Sequence, residues 1–138
     1  MSKQFRISGA VMRPASFDLA TLQAMPAVTR TVGNTTYTGV SLWNLINAAD
    51  ISVNRAVKND ILRGYVVATG SDGYQVVISL GEISPEFGNQ PDLIAYRADG
   101  APLTSNGFAR LVVPNDIKGG RFVSNLVSLE VRAAAPAP

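Results

Sequence analysis

Tyr65-Val66-Val67-Ala68-Thr69-Gly70-Ser71-Asp72-Gly73-Tyr74-Gln75-Val76-Val77-Ile78-Ser79-Leu80 is the stretch that decides the fold. A β-branched run from Tyr65 to Thr69 leads into a Gly-Ser-Asp-Gly turn. The chain then returns from Tyr74 to Leu80. Branched side chains are stiff and pack well on a pleated surface, while glycine and aspartate accept the backbone angles of a tight turn. The pattern predicts an antiparallel hairpin, so the fold is built on a sheet.

Outward from the hairpin, short strand signals recur. Phe5 to Ser8 alternates apolar and polar until Gly9, and Val28 to Val32 alternates up to the turn signal Gly33-Asn34. Leu93 to Tyr96 reads as a short buried strand, with Asp99-Gly100 as a hairpin-type turn before Leu103. Ala109 to Val113 is a strand stopped by Pro114, and Phe122 to Val131 closes the domain. Two helices interrupt the strands. One is capped by Ser16 or Asp18 and carries Leu19, Leu22 and Met25 at helical spacing. The other follows Tyr37-Thr38-Gly39-Val40, with Ser41 as cap and Leu42, Trp43, Leu45, Ile46 and Ala49 as its apolar face. Gly81 to Pro91 reads as a loop with room for one helical turn. The order is not a repeating β-α unit, so the expected class is α+β around a mixed or antiparallel sheet. Residues 1–132 read as one domain. Residues 133–138 read as a disordered Ala/Pro tail.

Composition removes whole classes of chemistry. There is no cysteine and no histidine. Disulfides, Cys/His zinc sites, iron–sulfur clusters, Ser-His-Asp triads and Cys-His dyads are therefore excluded. A metal would have to be held by carboxylates and carbonyls, which suit hard ions. Apolar residues make up 46% and charged residues 16% of the 138-residue chain, which describes a globular domain rather than a disordered one. The net charge of +2 is too small, and the cations too scattered, to indicate nucleic-acid binding. Nine arginines outnumber three lysines, which favours forked recognition of a local anion. No apolar run approaches the roughly 20 residues that span a bilayer, so no membrane insertion is expected. The start, Met1-Ser2-Lys3-Gln4, carries no signal peptide. It suits a cytosolic protein or a mature exported domain.

Three segments carry a resemblance. The first is Tyr37-Thr38-Gly39-Val40-Ser41-Leu42-Trp43-Asn44-Leu45-Ile46. The second is Asp72-Gly73-Tyr74 with its strand to Leu80, then Leu93-Ile94-Ala95-Tyr96 and Asp99-Gly100-Ala101-Pro102-Leu103. The third is Gly107-Phe108-Ala109-Arg110-Leu111-Val112-Val113-Pro114, then Gly119-Gly120-Arg121-Phe122-Val123-Ser124-Asn125-Leu126. In this order and spacing, over residues 5–132, the chain resembles the molybdopterin-binding domain of the sulfite oxidase family. The resemblance implies that family's α+β fold with a mixed sheet. It also implies molybdopterin as the associated cofactor and a periplasmic location, with the cytoplasm as the alternative.

The departures bear on function. The family places a metal-ligating cysteine before its Thr-Gly-Val helix start. The corresponding segment here, Thr29 to Thr36, keeps Gly33-Asn34 but has no cysteine. A threonine hydroxyl is a poor substitute, being barely acidic and harder than sulfur. Ser124 stands where the family has a lysine, Asn125 where it has a tryptophan, and Asn106 where a histidine often precedes the Gly-Phe motif. No metal-ligating or catalytic residue is assigned, and no cofactor beyond molybdopterin is implied.

The candidate ligand-binding residues are Arg110, Lys118, Gly119, Gly120, Arg121, Tyr74 and Ser124. Arg110 reads as a fork for an anion, or as an edge arginine paired with an acid such as Asp116. Asn115 to Arg121 reads as an anion nest with two converging cations, or as a polar hairpin loop. Tyr74 reads as a site tyrosine, or as a half-buried aromatic beside a turn. Trp43 reads as core. Asp60, Asp72, Asp92, Asp99 and Asp116 sit near turn residues and read as solvated. The leading expectation is a non-catalytic binding or accessory domain for a small anionic or pterin-like ligand. The alternatives are a molybdopterin-dependent oxidoreductase with its metal held only by the pterin dithiolene, and a protein-interaction module whose edge strands pair with a partner.

Overall fold

The computed structural model describes residues 1–135; residues 136–138, the end of the Ala/Pro tail, lie outside the described residues. The chain runs β1 (Phe5–Gly9), β2 (Ala15–Phe17), α1 (Leu19–Gln23), β3 (Val28–Val32), β4 (Thr35–Ser41) and α2 (Leu42–Ala48). It continues β5 (Gly64–Gly70), β6 (Gln75–Ser79), α3 (Leu80–Ile83), β7 (Leu93–Ala98), β8 (Ala101–Pro102), β9 (Arg110–Val112) and β10 (Leu126–Ala133). Short 3-10 turns occupy Asp60–Arg63 and Gly119–Arg121.

The strands form two sheets. The first has the order β2-β1-β10-β5-β6, and the second β3-β4-β7-β8, with β9 also pairing β7. The pair β1–β10 is parallel and the other strand pairs are antiparallel, so the architecture is mixed. The decisive hairpin forms as expected, with Tyr65 opposite Ser79 and Thr69 opposite Gln75. Its turn closes by Gly73 N–H donating to Gly70 O at 3.0 Å, with Gly73 at a φ of 88° that only glycine adopts freely.

The main core lies between the sheets. Phe5, Ile7, Val66, Ile78 and Leu129 of the first sheet join Val40, Ile94 and Leu111 of the second, with Leu42, Leu45 and Ile46 of α2. Fully burying each such side chain stabilises by roughly 1.5–3 kcal/mol. Ser41 caps α2 by accepting from Asn44 N–H at 3.2 Å, and Ser79 caps α3 by accepting from Glu82 N–H at 3.1 Å. The second cap fixes where Glu82 sits. Gly39 matters for a steric reason. A Cβ there would run into the Ile94 carbonyl, where the β4–β7 ladder shifts register between Thr38 and Gly39.

A smaller apolar cluster covers the other face of the second sheet. Tyr37, Leu93, Ala95 and Val112 are buried there, and Phe122 packs against them. This outer cluster is what positions the candidate site.

Several local readings change. The run Tyr37 to Val40 does lead into α2 at its Ser41 cap, but it is itself strand, most of β4, because its backbone pairs with both β3 and β7. Ser16 is in β2, so the cap of α1 is Asp18, which forms a reciprocal capping box with Thr21. The last strand starts at Leu126, not Phe122, because Asn125 takes a φ of 51° and breaks the extended run. It also continues to Ala133, opposite Gly64, and Ala134 N–H donates to Arg63 O at 2.9 Å. The first residues of the expected tail are thus held by the sheet.

Candidate functional site

Arg110 leaves β9 on the outer face of the second sheet. Its guanidinium lies 5.9 Å from the ring centre of Tyr37 and 5.4 Å from that of Phe122. The two rings meet edge to face, with centroids 6.4 Å apart. One guanidinium N–H donates to the Tyr37 hydroxyl at 3.2 Å. The Nε is buried and makes no hydrogen bond, and among the described residues no acid pairs with Arg110. The expected alternative partner, Asp116, is engaged elsewhere. A cation over ring faces is stabilised by their quadrupoles but not neutralised. Among the described residues no carboxylate neutralises it.

Arg121 is the reverse case. Its Nε and NH2 donate to the two Asp116 carboxylate oxygens at 2.7 and 2.8 Å. NH1 and NH2 donate to the Glu82 carboxylate at 2.8 and 3.2 Å, and NH1 also reaches Val77 O at 3.4 Å. Both acids hold the guanidinium above its ordinary range, Asp116 first, and Arg121 in turn lowers the Asp116 carboxyl. All five donors of the fork are directed into the protein. The anticipated anion nest therefore does not assemble around this side chain. Lys118, Gly119 and Gly120 are exposed on the same loop, and Gly120 O accepts from the Tyr74 hydroxyl.

Beneath this loop lies Asp92, just ahead of β7. It is 2% exposed, not the solvated turn acid the sequence suggested. Neither of its carboxyl oxygens receives a hydrogen bond. Burial, and then the neighbouring Glu82, push its pKa up to about 8. Burial and the neighbouring Glu82 carboxylate thus both favour the protonated, uncharged form of Asp92. Sequence reasoning missed Glu82, since nothing local marks an acid 39 positions from Arg121 as its partner. A signal existed for Asp92: an acid set directly against the apolar run Leu93-Ile94-Ala95.

Tyr74 and Ser124 meet in a cavity of about 310 Å³ that is also lined by Ser71, Asp72, Asn106, Phe122 and Asn125. Tyr74 is 48% exposed, more open than a half-buried aromatic. The cavity has no cation in its lining; Phe122 borders it and also covers Arg110. The structure thus brings Tyr74 and Ser124 into one cavity bordered by Phe122, with Gly120 hydrogen-bonded to Tyr74. It sets Arg110 on the aromatic cluster and leaves Lys118 outside both. The hairpin that bears Gly33-Asn34 contributes nothing to this cavity. There, Thr31 and Thr36 share a hydroxyl–hydroxyl hydrogen bond at 3.1 Å.

Comparison with known proteins agrees with this architecture. The family model described as oxidoreductase molybdopterin binding domain matches residues 30–137. No curated protein matches the chain. Among solved structures, the sulfane dehydrogenase SoxCD from Paracoccus pantotrophus superposes with a TM-score of 0.75 at 21% identity. The match covers 95% of this chain but 39% of that one, so the chain spans about two-fifths of the protein it resembles. At this identity the likeness speaks for the fold.

Proposed function

The chain belongs to the oxidoreductase molybdopterin binding domain family, and from that premise we propose that it is a non-catalytic binding or accessory member, taking a small anionic or pterin-like ligand through Arg110. A molybdopterin-binding, oxidoreductase-type domain of sulfite-oxidase-like α+β fold is the frame. The observation that carries the finer reading is the contrast between a half-buried guanidinium without an acid and a sequence without any thiolate.

The residues present do not fit the metal of the family's cofactor. Molybdenum at a protein-anchored site asks for a soft, ionised sulfur. The hydroxyls near Gly33 are hard and scarcely acidic, and that of Thr31 is already bonded to Thr36. Arg121 and Ser124 do not supply free positive charge for a phosphate. Arg110 does fit an anion: its fork is oriented by Tyr37 and Phe122 before any ligand arrives.

Two measurements test this. The protein is produced in a host that makes molybdopterin, and its molybdenum is counted by mass spectrometry; well under one atom per chain is expected, and stoichiometric metal overturns the reading. Pyrophosphate is then titrated calorimetrically. Saturable binding that drops at least tenfold in Arg110→Met is expected, and binding indifferent to that change sinks the assignment of Arg110.

A further inference from the structure

A second cavity, of about 300 Å³, opens at the junction of β3, α2 and the segment before β7. Arg30, Trp43, Asn44 and Asn89 border it, over Val28 and Pro91. It shares no lining residue with the cavity at Tyr74. Arg30 is half-buried, and its guanidinium donates to the carbonyl of its neighbour Thr29 at 2.8 Å. Among the described residues no acid pairs with Arg30. The acid that borders the cavity is Asp92. Its carboxyl oxygens are shielded from the surface, and burial favours its uncharged form. The charge the cavity presents is therefore that of Arg30.

Trp43 was expected in the core. It is half-buried instead and forms a wall of this cavity and of an adjoining one of about 410 Å³. The side-chain amides of Asn44 and Asn89 make no hydrogen bond among the described residues, so their donors and acceptors are free. An indole face, a forked cation and unengaged amides around one concave space are complementary to a flat ring with an acid group.

We infer that this cavity is a ligand site for a planar aromatic carboxylate, its ring against Trp43, its carboxylate on Arg30 and its ring substituents within reach of Asn44 and Asn89. The inference is independent of the Arg110 reading.

Trp43 is the only tryptophan in the chain, so its fluorescence reports the two cavities it walls, and the Arg30 variants assign the signal to this one, because Arg30 does not line the other. Benzoate is titrated at constant ionic strength with excitation at the indole edge, beside benzamide and acetate. Benzoate is expected to give a saturable change. Arg30→Gln should weaken its dissociation constant at least tenfold, and Arg55→Gln, at an exposed cation elsewhere, should leave it unchanged. Benzamide, which lacks the charge, and acetate, which lacks the ring, should each bind at least tenfold more weakly. Circular dichroism checks folding; if Arg30→Gln does not fold, Arg30→Lys and Asn44→Ala carry the comparison, each expected to weaken benzoate severalfold. Linear, unsaturable quenching overturns the proposal, as does benzoate binding that ignores the Arg30 variants or is matched by benzamide. Such a failure leaves the molybdenum and pyrophosphate measurements untouched.

Discussion

Arg110 and Arg121 lie eleven positions apart, and the structure treats them in opposite ways. Arg121 is clasped by Glu82 and Asp116, so that its charge is neutralised inside the fold. Arg110 is clasped by two aromatic rings, so its charge is oriented but kept. The same side chain is a strut in one place and, in the function we propose, a receptor in the other. What decides between them is the partner: an acid consumes the fork, whereas a ring face leaves its edges free. The number of arginines near a loop is therefore a poor guide to an anion site.

Substitutions can break or sharpen this contrast. Arg121→Met has the largest expected effect, because it leaves Glu82 and Asp116 facing each other beside buried Asp92. Removing one partner of a buried pair costs 3–5 kcal/mol, and Arg121 is about a third exposed, so a loss of about 2–3 kcal/mol is expected in urea denaturation. An unchanged midpoint would dissolve the distinction.

Asp92→Asn tests the acid beneath the strut. The folded-state pKa of about 8 lies above the unfolded value of 3.8, so the native state holds an extra proton between them. Stability should therefore fall as pH rises from about 4 to about 8 and level off above that. The asparagine variant should lose this slope and be the more stable protein at pH 8. Thermal melts from pH 5 to 9 read both, and parallel slopes in the two proteins would contradict it.

Phe122→Ala should cost about 1–2 kcal/mol, since it removes a half-buried ring that meets Tyr37 edge-on and covers Arg110. Its sharper consequence is functional. With one ring gone the guanidinium is less ordered, and pyrophosphate affinity should fall even though access improves; a gain would mean that Phe122 is a cover and not an orienting wall. Arg110→Met is expected to be the mildest in stability, within about 1 kcal/mol, because the lost cation–π contact is offset by the removal of an unpartnered buried N–H. A large destabilisation here would make Arg110 a strut after all.

Much of the scaffold could be read from residues because its signals are local. The β5–β6 hairpin announces itself by branched residues around Gly70 to Gly73, and the caps Asp18 and Ser41 stand next to their helices. β4 was harder, since Thr35 to Ser41 contains Gly39 and runs straight into the α2 cap. Only its pairing with β7 turns that glycine from a breaker into a point of close approach. The site divides along the same line. Arg110 could be singled out from its strand, but Tyr37, 73 positions away, could not be named as its partner. The Glu82–Arg121–Asp116 arrangement depends on α3 folding under the loop, and no spacing rule connects those elements.

The parallel pairing of β1 with β10 carries a further consequence. Within this domain β1 stays separated from β5 until β10 is in place, because β10 fills the gap between them. Joining strands so far apart in sequence is a slow kind of closure. Chains halted before Leu126 should remain open to protease, and those extended past Ala133 should become resistant in a single step. β10 is thus the strand that closes the first sheet, and folding of the domain is expected to wait for it.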